Sequence, residues 1–136
     1  MEKFTLEEIM FAIGIYPAAN ATEKFSLFLE LMNTKFSEVI DASFFANNLK
    51  LEKLSSKRKA SFASFLSSVH IEEEMGRYAQ AAVGWTHLLA DDYPKLLKEI
   101  YIPPVVLFYK GNLTQLENHT FLGVVGSRNY TPYGKQ

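Results

Sequence analysis

Phe121-Leu122-Gly123-Val124-Val125-Gly126-Ser127-Arg128 is the clearest architectural signal in this chain. A short apolar run ending in a glycine turn is how an α/β protein brings backbone amides to a phosphate at the start of the next helix. The run predicts a buried strand over Phe121 to Val125, and Gly126, Ser127 and Arg128 form the candidate phosphate site. Gly126 lets the backbone approach an anion, Ser127 can donate its hydroxyl, and Arg128 can make a two-point contact with phosphate oxygens. Thr131, Pro132, Tyr133 and Gly134 then read as the loop and opening turn of a helix. The pattern is not the dinucleotide fingerprint. Gly123 and Gly126 do not make G-x-G-x-x-G, and no later acidic residue follows to hold a ribose.

Upstream, Trp85 to Ala90 suits a strand, Asp91-Asp92-Tyr93-Pro94 a turn, and Pro94 to Ile100 a short helix. Pro103-Pro104 blocks further helix, so Val105-Val106-Leu107-Phe108-Tyr109 is the strongest strand candidate, turned by Gly111-Asn112. Both apolar strands, 105–109 and 121–125, suit a parallel sheet buried on both faces. Edges left without neighbours predict self-association, or poor order beyond about residue 112.

The first half carries helical periodicity instead. Leu6, Ile9, Met10 and Ile13, then Phe25, Phe28, Leu29 and Met32, each follow i, i+3, i+4, i+7. Thr5 and Glu8 form a capping-box pattern, Gly14 and Pro17 stop the first helix, and Thr22 is read as the cap of the second. The stripe returns at Phe62, Phe65, Leu66 and Val69 and at Met75, Tyr78, Ala79 and Ala82, with a break near Ser68 to His70. That break places Glu72, Glu73 and Glu74 in a first turn, where the helix dipole favours them. Phe44, Phe45, Leu49 and Leu51 predict a further helix. Residues 1–82 thus read as a bundle of four to six helices, and residues 83–136 as the first strands of an α/β domain.

The bulk numbers exclude whole classes. The 136 residues hold 48% hydrophobic and 21% charged side chains, a soluble globular balance, and a net charge of −1 that would not by itself attract a polyanion. The absence of cysteine excludes disulfides and thiolate zinc sites, and His70, His87 and His119 have no metal-ligand spacing. No metal or cofactor is implied. The N-terminus lacks a secretory apolar stretch and no run approaches membrane-spanning length, which points to the cytoplasm and to no membrane partner. Asp91 and Asp92 read as turn chemistry, and Ser127 has no histidine placed to activate it, so no catalytic residue is assigned. Lys50, Lys53, Lys57, Arg58 and Lys59 lack interleaved aromatics and read as a solvated face. Trp85 and most phenylalanines read as core.

Five words in order give a sharper identification. Tyr93-Pro94 with Leu97 and Ile100, Pro103-Pro104, Leu107-Phe108, Lys110-Gly111-Asn112-Leu113, and Gly123-Val124-Val125-Gly126-Ser127-Arg128 with Thr131, Tyr133 and Gly134 closely resemble the entry to the Rossmann-like domain of the DNA-processing protein A (DprA, Smf) family. The resemblance covers about residues 84–136. The helical part matches weakly the family's variable N-terminal extension, sterile-alpha-motif-like in some members. The resemblance implies a cytoplasmic, non-enzymatic protein of natural transformation. Such a protein binds and protects incoming single-stranded DNA, forms a self-dimer and helps load the RecA recombinase, with Gly126, Ser127 and Arg128 in the pocket holding the DNA backbone. The sequence stops one turn into the next helix, before the family's later Ser-Gly-Leu and Gly-Ile-Asp region. Binding by this segment alone is therefore expected in the millimolar to high-micromolar range typical of unspecific charge contacts. Two rival expectations are a Rossmann-like enzyme holding a free nucleotide at the same turn and a helical protein-interaction module.

Overall fold

Thr5 opens the first helix as its sequence predicts. Its hydroxyl accepts from the Glu8 amide at 3.2 Å, and the Glu8 carboxylate accepts from the Thr5 amide at 3.3 Å, so two orphan donors are satisfied reciprocally. Thr5→Ala is expected to cost about 1 kcal/mol, read as a lowered urea midpoint; an unchanged midpoint would deny the cap a role. The computed structural model describes residues 3–33, 39–41 and 56–135. In chain order these are strand β1 (Lys3–Thr5), helices α1 (Leu6–Ile15) and α2 (Ala21–Asn33), strand β2 (Val39–Asp41), helices α3 (Ser56–Ser68) and α4 (Ile71–Gln80), and strands β3 (Gly84–His87) and β4 (Val106–Tyr109). Two 3₁₀ helices, Lys95–Glu99 and Leu113–Asn118, flank β4.

Helix α1 is central. Its stripe residues Ile9, Met10 and Ile13 are buried, but so are Phe11 and Ala12 on the other side, because strands as well as helices pack around it. Gly14 does not terminate α1, which runs to Ile15. Its role is close approach: a Cβ there would lie 2.8 Å from Val106 Cγ1 and 3.1 Å from Phe108 Cζ, so only glycine lets the helix sit this near β4. The Lys24 ammonium donates to the Gly14 carbonyl at 2.7 Å, closing the C-terminal turn of α1, and burial lowers its pKa.

Helix α2 is capped by Asn20, not by Thr22. The Asn20 side-chain oxygen accepts from the Glu23 amide at 2.9 Å, which places Thr22 inside the first turn. Its deepest residues are Leu27, Phe28 and Leu31, while Phe25, Leu29 and Met32 are partly buried against the same core. The predicted break falls between Ser68 and Ile71, and His70 is the N-cap residue of α4 without a side-chain cap bond. The helix ends in a Schellman-type turn: Val83 N donates to Tyr78 O at 2.9 Å and Ala82 sits at φ 55, a left-handed position that an alanine occupies at some cost. The helix expected around Phe44, Phe45, Leu49 and Leu51 lies outside the described residues.

The strands depart from the sequence expectation in four ways. β1 pairs antiparallel with β2, Phe4 opposite Ile40, a ribbon too short to show any alternation in the sequence. β4 pairs antiparallel with β3, Trp85 opposite Phe108, not in a parallel sheet. The expected strand over Phe121 to Val125 is not formed. These residues are irregular and exposed, Leu122 by 88% and Val125 by 96%, because no described strand lies beside them to take up their backbone hydrogen bonds. The 85–90 strand also ends early, at His87, and the rest is turn.

Phe11 joins the two halves of the sequence. Its ring meets Tyr78 of α4, Trp85 of β3 and Phe108 of β4 edge-on, with centroids 5.3, 5.2 and 6.0 Å away. A polar contact beside it was not foreseen. His87 is almost wholly buried; its Nδ1 accepts from the Leu89 amide at 3.2 Å, which leaves the proton on Nε2 to be donated to Glu7 of α1 at 2.8 Å.

Candidate nucleic-acid interface

After the Leu113–Asn118 helix, the backbone leaves the core and carries the candidate turn into solvent. Gly126, Ser127 and Arg128 are all exposed. The Ser127 hydroxyl oxygen accepts from the Asn129 amide at 3.1 Å, a local turn that fixes the backbone just after Arg128. Three residues on, the Thr131 side chain accepts from the Gly134 amide at 3.2 Å, and the Lys135 amide donates to the Thr131 carbonyl at 3.2 Å. Those two bonds make the single helical turn expected at Thr131 to Gly134, with Thr131 as its cap. A Cβ at Gly126 would meet nothing within 4 Å, so one side of the backbone is open to a ligand.

The charge around this turn is one-sided. Beyond Glu117 the sequence has no acidic residue, while Arg128 and Lys135 are both basic. Among the described residues no carboxylate lies within ion-pair distance of Arg128. The ordinary role of an exposed arginine, pairing with an acid near the end of a sheet, therefore has no partner among the described residues. A chain of net charge −1 thus keeps a locally cationic, solvent-open segment.

The second basic cluster differs. Arg58 is ion-paired with Glu23, and Lys59 is buried on α3 and so does not belong to a solvated face; Lys57 is exposed, and Lys50 and Lys53 lie outside the described residues. Asp91 and Asp92 sit in a turn as expected. The Thr86 hydroxyl donates to Asp92, and the buried Tyr93 hydroxyl donates to the Pro104 carbonyl at 2.7 Å, its pKa raised by burial. This turn lines a cleft of about 550 Å³ together with Leu96, Leu113, Leu116 and Phe121. Phe121 is therefore not a core residue, unlike Phe4, Phe11, Phe28 and Phe62.

Among the described residues, no group of three His, Asp or Glu side chains is placed to hold a metal ion, and no helix is long and apolar enough to cross a membrane. The sequence singled out Gly126, Ser127 and Arg128 by residue type, and the structure places a bend at Arg128 and Asn129. It did not show that the preceding apolar run would be exposed, since composition alone says nothing about whether a strand has a neighbour.

Residues 85–136 match the family of DNA recombination-mediator protein A. Over 62 residues the chain is 42% identical to the DNA processing protein DprA of Bacillus subtilis (strain 168). The aligned part is 46% of this chain and 21% of that relative's length. No solved structure matches the chain.

Proposed function

We propose, from the match of residues 85–136 to the DNA recombination-mediator protein A family, that this chain binds single-stranded DNA by its phosphates at Gly126, Ser127 and Arg128. The observation that carries the reading is a guanidinium with no carboxylate partner among the described residues, exposed on a turn in an acid-free stretch inside the matched segment. The mechanism is binding and not turnover. The guanidinium neutralises phosphate and displaces counterions, while open backbone amides near Gly126 can hydrogen-bond the same oxygens. Such contacts are nearly independent of base sequence and weaken with salt. The remaining roles implied by the family likeness belong to the same proposal: cytoplasmic protection of DNA taken up in transformation, transfer to the RecA recombinase and self-dimerisation.

Amide NMR titration with oligo-dT, beside thymidine monophosphate at equal phosphate concentration, tests the reading. Oligo-dT is expected to shift Gly126, Ser127, Arg128 and Asn129, with half-saturation in the high-micromolar to millimolar range and weaker still at higher salt. Saturation by the mononucleotide alone would favour a nucleotide-binding enzyme. Shifts confined to α1–α4 would move the site to the helices.

A further inference from the structure

Four of the seven tyrosines of this chain stand in contrast. Tyr16 and Tyr93 are buried and their hydroxyls are satisfied, by Ser61 Oγ at 2.6 Å and the Pro104 carbonyl at 2.7 Å. Tyr130 and Tyr133 are 69% and 85% exposed, and among the described residues neither ring packs on another aromatic nor finds a hydrogen-bond partner. Large rings left in water carry information that an exposed charge does not, because burying them would be favourable and nothing in the fold does so. Both lie within five residues of Arg128, one on each side of Thr131. Local turns at Ser127–Asn129 and Thr131–Lys135 constrain the backbone that carries them.

We propose that Tyr130 and Tyr133 form a stacking platform for the bases of a single strand whose phosphates are held at Arg128; the proposal rests on the phosphate reading above and assigns the other half of the contact. Two extended residues span at most about 7 Å, so the Tyr130 ring is within reach of a base attached to the phosphate that Arg128 neutralises. Cationic and aromatic side chains alternating along a solvent-open segment are what sequence-tolerant single-strand binding requires: charge tracks the backbone, and every base has a face that can stack. Duplex DNA keeps its bases stacked on one another and gains nothing from such rings. The platform therefore supplies the preference for single strands that phosphate contact alone cannot give.

The test titrates the whole chain with oligo-dT and with an abasic deoxyribose-phosphate strand of the same length. Oligo-dT is expected to bind roughly ten-fold more tightly than the abasic strand. Tyr130→Ala and Tyr133→Ala should each remove much of that difference and leave the salt slope unchanged, whereas Tyr133→Phe should keep it, since the ring and not the hydroxyl stacks. Equal affinity of wild type for both strands overturns the platform, and so does a loss of equal size in Tyr101→Ala, an exposed tyrosine outside the cationic segment. The two readings fail separately. Equal affinities combined with a lowered salt slope in Arg128→Ala leave phosphate binding standing without stacking. A base-dependent affinity indifferent to Arg128→Ala leaves stacking standing without the phosphate contact, and no binding of either strand ends both.

Discussion

Phe11→Ala is expected to destabilise the protein by about 3–5 kcal/mol, the range for deleting a fully buried aromatic ring that leaves a cavity. The side chain is wholly buried, and it is the point at which α1, α4, β3 and β4 meet through three edge-on ring contacts. Small domains are stable by about 5–15 kcal/mol in total, so this one change removes a large part of the margin. Urea unfolding followed by far-ultraviolet circular dichroism and by fluorescence is the check. Trp85 is the one tryptophan in the chain, and it rests on Phe11. Both signals should move together to lower urea. A loss under about 1 kcal/mol would mean that the aromatic cluster relaxes to fill the gap. A helical transition that shifts while the Trp85 transition stays would mean that residues 1–82 and 83–136 unfold as separate units, against the packing of Phe11 across that boundary.

How much of this was legible follows from the range over which each cause acts. The Thr5–Glu8 box comes from side chains bonding backbone three residues away, and the break before Ile71 and the turn at Asp91-Asp92 are marked by local residue types, so the sequence shows all three directly. Gly14 was misread as a helix stop because the reason for it, the Val106 side chain, is far along the chain. The β1–β2 pairing was missed because three-residue strands have no period to detect. The Asn20 cap was missed because Thr22 carries an equally suitable hydroxyl two residues later.

The candidate site divides the same way. Glycine, serine and arginine in a row are residue types suited to an anion contact, and the turn geometry at Ser127 and Thr131 follows from local bonds. The exposure of Phe121 to Val125 depends on whether another strand runs beside them, a property of the fold and not of the segment. The exposure of Tyr130 and Tyr133 was not read from the sequence for the related reason that aromatic residues elsewhere in this chain are mostly core, and only their surroundings separate the two.

The most direct test of the central claim is the salt dependence of oligo-dT binding by the wild-type chain and by Arg128→Ala. The guanidinium is exposed and outside the core, so circular dichroism of the variant should be native. Each phosphate neutralised on a single strand contributes about 0.7 to the slope of log affinity against log salt, and the variant should lose one such contact. Affinity should fall roughly ten-fold, by about the same factor for oligo-dT, oligo-dC and mixed strands, because the contact neutralises charge without reading bases. Arg128→Lys should restore part of the affinity, since an ammonium keeps the charge and loses the planar two-point contact. A natively folded Arg128→Ala whose affinity and salt slope both equal those of the wild type would contradict the assignment of this turn to the DNA backbone.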